Sequence, residues 1–219
     1  MGIADKRDYL AGLSDLLALR WPDNRTVNIV CHGHSVPSGY ACTPLVDTFH
    51  AYPHLVHRTL KQRFPYAVIN VITTGVGGEH SADGAARFER EALNHRPSLV
   101  TIDYSLNDRA IGLSAAEAAW RGMIEAALAR DAKVILMTPS WDQTWFDRDD
   151  QWRALEAHAE QVRGLAAEYG VGLGDSFAAY GRYVEAGGDL QDLLSHWNHP
   201  SAEGHRLIAR EISSWFVAR

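Results

Sequence analysis

Val27-Asn28-Ile29-Val30-Cys31-His32-Gly33-His34-Ser35 is a short apolar run that breaks at a glycine and delivers a serine. Runs of ~4–8 apolar, β-branched-rich residues bounded by turn signals read as buried strands, because helices need ~10 or more. Val27–Cys31 is therefore the first strand. The signature recurs downstream. Ala67–Ile72 ends at Thr73-Thr74-Gly75-Val76-Gly77-Gly78, and Leu99–Asp103 ends at Tyr104-Ser105-Leu106-Asn107-Asp108. Lys133–Thr138 is the fourth strand and Val171–Gly174 a short fifth. Between them lie amphipathic stretches: Asp5–Arg20, Ala51–Phe64 with Pro53 in its first turn, and Glu79–Asn94. A helix opened by the capping box Ser114-Ala115-Ala116-Glu117 runs to Arg130, and Trp152–Tyr169, Asp175–Ala186 and Ala202–Val217 follow. Strands alternating with helices predict an α/β fold: a five-stranded parallel sheet covered on both faces. With no repeat, low-complexity tract or linker, residues 1–219 are expected to form one domain, with the N-terminal helix (1–24) packed on it.

Composition narrows the partners. The chain has 219 residues, a net charge of −6 and 46% hydrophobic side chains, enough for a sizeable core. Without a Lys/Arg cluster, an acidic chain is a poor ligand for nucleic acid or an anionic membrane, and neither is expected. No run approaches the ~18 apolar residues of a membrane span. The start, Met1-Gly2-Ile3-Ala4-Asp5-Lys6-Arg7-Asp8, has no apolar signal core, so a cytoplasmic location is expected. Cys31 and Cys42 are too few for a disulfide framework or a zinc knuckle.

In parallel sheets ligands bind beyond the carboxyl ends of the strands. The turns there carry Gly33-His34-Ser35, then Gly75, Gly77 and Gly78, then Asn107; His196-Trp197-Asn198-His199-Pro200 places a histidine just before the last helix. Acyl transfer needs a nucleophile, a base and donors for a developing oxyanion. Serine, histidine, a glycine N–H and an asparagine amide supply these at one predicted sheet edge. Each has a plainer use as well: Ser35 as a turn cap, Gly75 for turn geometry, Asn107 in an Asx turn.

These blocks resemble those of the SGNH (GDSL-like) hydrolases, whose name gives the four residues in chain order. Gly33-His34-Ser35 is similar to the family's Gly-Asp-Ser, with His34 for aspartate. Thr73–Gly78 resembles Asn-x-Gly-x-x-Gly with Thr73 for asparagine, and Ser105-Leu106-Asn107-Asp108 resembles Gly-x-Asn-Asp with serine for glycine. His196-Trp197-Asn198-His199-Pro200 resembles Asp-x-x-His-Pro, with His196 where the triad acid stands. The resemblance implies a flavodoxin-like three-layer sandwich and ester hydrolysis through a seryl intermediate. It implies Ser35 as nucleophile, His199 as base, and the N–H groups of Gly75 and Ser35 with the Asn107 amide as oxyanion donors. No metal or organic cofactor is implied. For want of an acid at 196, His199 Nδ1 is expected to find a backbone carbonyl or a displaced carboxylate, Asp192 being the nearest upstream.

Other histidines carry less. His50, His54 and His57 have the spacing of metal ligands, but Pro53 starts the helix inside the run, and no metal is expected. His32, His34 and His196 are expected near the site as tuning groups or satisfied donors. The loop after the fourth strand, with Trp141, Trp145 and Phe146, together with Trp197, forms either an aromatic rim for sugar rings or a seal over the sheet. The favoured substrate is accordingly a small-molecule or carbohydrate ester, O-acetyl groups included. A thioester or lysophospholipid, or a binding module that has lost its activity, are the alternatives.

Overall fold

The computed structural model describes residues 2–217. Five parallel strands, β1 (Thr26–Gly33), β2 (Val68–Gly75), β3 (Leu99–Asp103), β4 (Lys133–Met137) and β5 (Gly172–Gly174), form one sheet in the order β2-β1-β3-β4-β5. Parallel neighbours need crossover connections. The long ones are α3 (Tyr52–Arg63), α4 (Ser81–Glu91), α5 (Gly112–Leu128) and α7 (Asp150–Tyr169). The chain also contains α1 (Ala11–Ala18), α2 (Ser35–Ser38), α6 (Thr144–Asp147), α8 (Ser176–Glu185), α9 (Leu190–Leu193) and α10 (Ala202–Ser213).

Burial explains the strand sequences. Every residue of β3 is buried, as are all of β4 after Lys133, which fits strands covered on both faces. β2 is an edge strand and is largely exposed or half-buried along its length, in keeping with its polar Asn70, Thr73 and Thr74. The core runs through Val30, Val100, Ile102, Leu136, Trp120 and Trp215, each nearly or fully removed from water. Burying one such large apolar side chain is worth ~1.5–3 kcal/mol.

Several expected elements differ. The first helix covers only Ala11–Ala18, and residues 6–10 ahead of it form turns, with the Arg7 N–H donating to the Asp5 carboxylate at 2.9 Å. Its Leu10 and Leu17 still enter the core. The Ser114–Glu117 capping box does not form: α5 begins at Gly112, and Glu117 reaches forward to Arg121 at 2.8 Å instead. The last helix ends at Ser213, whose carbonyl accepts from the Arg63 guanidinium at 3.1 Å. Helices α2, α6 and α9 have four residues each, too few for any periodic signal.

The order places the site. After β1 the chain moves outward to β2, then returns to the other side of β1 as β3. Ligands bind at such a reversal, outside the carboxyl ends of the strands. Ser35 follows β1 and Asn107 follows β3, while Gly75 ends β2 in register with Gly33.

Candidate active site

Gly33 ends β1, and α2 begins at Ser35 with His34 as its N-cap. The nucleophile candidate thus stands on a sharp strand-to-helix turn and is 5% exposed. His199 lies ahead of α10, in a loop closed by the Leu194–Pro200 bridge and by Ser195 N–H donating to the His199 carbonyl at 2.9 Å. Its Nε2 is 3.1 Å from Ser35 Oγ, and its Nδ1 is 2.9 Å from the carbonyl of Ala41. A carbonyl accepts only, so Nδ1 carries the proton and Nε2 presents its lone pair to the serine hydroxyl. Of the two expected acceptors, the carbonyl is the one found. The Asp192 carboxylate is exposed and accepts instead from the Tyr183 hydroxyl at 3.1 Å.

Burial holds the His199 imidazole below its ordinary value of 6.5; the Ala41 carbonyl opposes this, and the like charges of His34 and His196 add to the lowering. A free, neutral base at neutral pH is what proton abstraction from serine requires. His196 is exposed, with its ring centroid 6.5 Å from that of His199.

On the oxyanion side, Gly75 has a steric reason. A Cβ there would come within 2.2 Å of Ser38 Oγ and 2.6 Å of the His34 carbonyl, so only glycine lets β2 close on α2. Asn107 Nδ2 donates one hydrogen to the Glu79 carbonyl at 2.9 Å, which orients the amide and leaves its second hydrogen for a ligand. Glu79 is in turn clamped by the Arg87 guanidinium and by the Tyr104 hydroxyl at 2.9 Å. The neighbouring Asp108 is fully buried; it accepts from Ser81 N–H and from Trp120 Nε1, each at 2.7 Å. Asn107 therefore stands on a loop stapled to α4 and α5. Ordered donors that need no reorganisation are the useful kind for a developing oxyanion.

The tryptophans divide. Trp141 is 8% exposed, stacked on Trp145 at 5.6 Å and edge-on to Trp152 at 5.0 Å. Of the two uses expected for it, rim or seal, its burial among these rings fits the seal. Trp145 is half-buried, with the Arg148 guanidinium 4.7 Å over its ring. Trp197 is 56% exposed, and its carbonyl takes the Gln143 N–H at 3.1 Å, tying the loop after β4 to the His199 loop. A cavity opens on the other side, beside Gly75. It measures about 300 Å³, lies between α3 and β2, and is lined by Ser38, Thr48, His54, His57, Thr73 and Gly75. His50 lies outside α3 and pairs with Asp47 at 2.8 Å, so the three histidines share no helical face. His32 is turned away from Ser35, toward Thr74 and the Tyr104 hydroxyl, and burial lowers it to about 4.

The Ala41 carbonyl and the cavity were invisible in the sequence, one being backbone and the other a product of packing. Asp103, 3.6 Å from His34 Nε2, was readable only as the end of a strand.

Known proteins share this fold. An acetylxylan esterase of Geobacillus stearothermophilus is 24% identical over 192 residues, 81% of this chain and 85% of its own. Its crystal structure superposes with a TM-score of 0.75 at 21% identity, covering 88% of this chain and 95% of that one. Catalytic variants of an enzyme of that name and organism replace a serine, an aspartate and a histidine. A putative lipolytic protein of the G-D-S-L family from Desulfitobacterium hafniense gives a TM-score of 0.69 at 21% identity, over 86% of this chain and 99% of the other. The model of the GDSL-like lipase/acylhydrolase family matches residues 31–207, a span that contains Ser35, Gly75, Asn107 and His199, and the chain belongs to that family.

Proposed function

We propose that this protein is a serine esterase that removes small acyl groups, acetyl above all, from a carbohydrate, working as a Ser35–His199 dyad. The observation that carries the reading is the pair of contacts on one imidazole: Nε2 on Ser35 Oγ at 3.1 Å and Nδ1 on the Ala41 carbonyl at 2.9 Å. His199 takes the hydroxyl proton as Oγ attacks the ester carbonyl. The oxyanion is received by Gly75 N–H, the free Asn107 amide hydrogen and Ser35 N–H, which opens α2 and so lacks an intrahelical acceptor. His199 then gives the proton to the leaving alcohol, and water repeats the sequence on the seryl ester.

A carbohydrate is favoured by the hydroxyls and imidazoles around the cavity beside Gly75, and by the acetylxylan esterase named above. The nearly closed surroundings of Ser35 favour a short acyl chain. The test compares purified protein with Ser35→Ala on p-nitrophenyl acetate, acetylated xylo-oligosaccharides, an acyl thioester and a lysophospholipid. Acetate release from the sugars that disappears in the variant is the expected result. Turnover of only the thioester or lysophospholipid would move the substrate class, and labelling of Ser35→Ala by a fluorophosphonate would remove Ser35 as nucleophile.

A further inference from the structure

A second imidazole flanks the nucleophile. His34 is fully buried, and its Nδ1 accepts the Val36 N–H at 3.2 Å as N-cap of α2. That nitrogen therefore carries no proton, and the ring's hydrogen is on Nε2. Nε2 has no hydrogen-bond partner and faces Asp103 Oδ1 at 3.6 Å. Leaving a buried N–H short of a bond is costly, and an apolar side chain would avoid it. The backbone is shaped to make this contact. Gly33 and Asp103 are register partners, and a Cβ on Gly33 would fall 2.4 Å from the Asp103 carbonyl and 3.1 Å from its Cβ. The Asp103 carbonyl also takes the His34 N–H at 3.3 Å.

We propose that Asp103 is a positioning residue that acts through His34 on Ser35. A buried carboxylate at this distance favours the tautomer with the proton on Nε2, since charge–dipole attraction is weakly screened inside the protein. Nδ1 is then an acceptor already filled by Val36 N–H. Ser35 Oγ lies 3.4 Å from Nδ1 and 3.1 Å from His199 Nε2, so its hydrogen has one open acceptor, the base. The other tautomer would set Nδ1–H against Val36 N–H, donor to donor, and would engage the Oγ lone pair needed for attack. His34 thus supplies through Nδ1 the cap that a carboxylate at this position would supply. Through Nε2 it adds a link to Asp103.

The inference rests on Ser35 being the nucleophile, but its first test does not. Histidine-labelled protein in tautomer-sensitive proton–nitrogen NMR should show His34 protonated on Nε2 and bare on Nδ1; protonation on Nδ1 overturns the proposal. Asp103→Asn should populate the second tautomer and lower kcat on p-nitrophenyl acetate by ~10–10²-fold with KM nearly unchanged, a loss typical of a slightly misplaced nucleophile. His34→Asn, whose side-chain oxygen can still take Val36 N–H, should keep more activity than His34→Ala. An unaltered His34 spectrum with wild-type kcat in Asp103→Asn, or equal losses in the two His34 variants, would defeat it. If Asp103→Asn does not fold, the wild-type spectrum and the two His34 variants decide. Wild-type protein with the expected tautomer but no ester turnover would count against the esterase reading and leave the tautomer lock standing.

Discussion

Ser35 lies between two imidazoles that differ in what stands behind them. His199 is backed by a carbonyl, Ala41, and His34 by a carboxylate, Asp103. A search for a histidine with an acid behind it would choose His34 as the base. The hydrogen bonds choose otherwise: His34 Nδ1 is occupied by Val36 N–H, whereas His199 Nε2 meets only the serine hydroxyl. What makes a base is a free lone pair aimed at the proton, and the backing group matters only through the tautomer it enforces. A carbonyl enforces it as surely as a carboxylate, but it stabilises the imidazolium less.

The largest expected effect breaks the comparison if it fails. His199→Ala and Ser35→Ala should each lower kcat on p-nitrophenyl acetate by ~10⁴ or more, since members of a nucleophile–base unit are lost together. His34→Ala should cost much less. Steady-state kinetics on the three variants decide the matter: equal losses at 34 and 199 would mean that both imidazoles take part in proton transfer.

Next comes the proposed oxyanion side. Asn107→Ala removes a donor already held by the Glu79 carbonyl and should lower kcat by ~10²–10³, with KM little changed. The donor acts mainly on charge that develops after binding. A raised KM at constant kcat would make Asn107 a substrate-binding residue instead.

Legibility in the sequence follows the same line between side-chain identity and backbone placement. The strands were readable because buried parallel strands are nearly continuous apolar runs; Leu99–Asp103 matches to the residue. Ser35, Gly75 and Asn107 were readable as types at strand ends, which the strand order brings side by side, and His199 as a histidine just before the last helix. What stayed hidden depends on register and loop path. Ala41 O is a backbone atom on a loop with no periodic signal, and Asp103 matters because Gly33 lets two strands press together. Trp141 stayed undecided between rim and seal because an aromatic loop beside a site looks the same in sequence whether its rings face solvent or the core.

The smallest expected effects lie behind His199. Asp192 is exposed and bound to Tyr183, so Asp192→Asn should leave kcat within about twofold, whereas a displaced triad acid would lose ~10³–10⁴. His196 is also exposed, so its charge is partly screened and His196→Ala should cost less than about tenfold at neutral pH. Its signature is in the pH profile. On the proposed dyad, activity needs neutral His199 and should fall as pH drops through that group's pKa, which burial above all holds below 6.5. Removing His196 removes one like charge, so protonation of His199 becomes easier and its pKa rises. The acid limb of kcat/KM should then move to higher pH, and His196→Asp, which puts an anion there, should move it further the same way. A limb that stays put in both variants would show that position 196 does not reach the base. Burial and the Ala41 carbonyl, the two largest causes acting on it, would then govern the His199 imidazole.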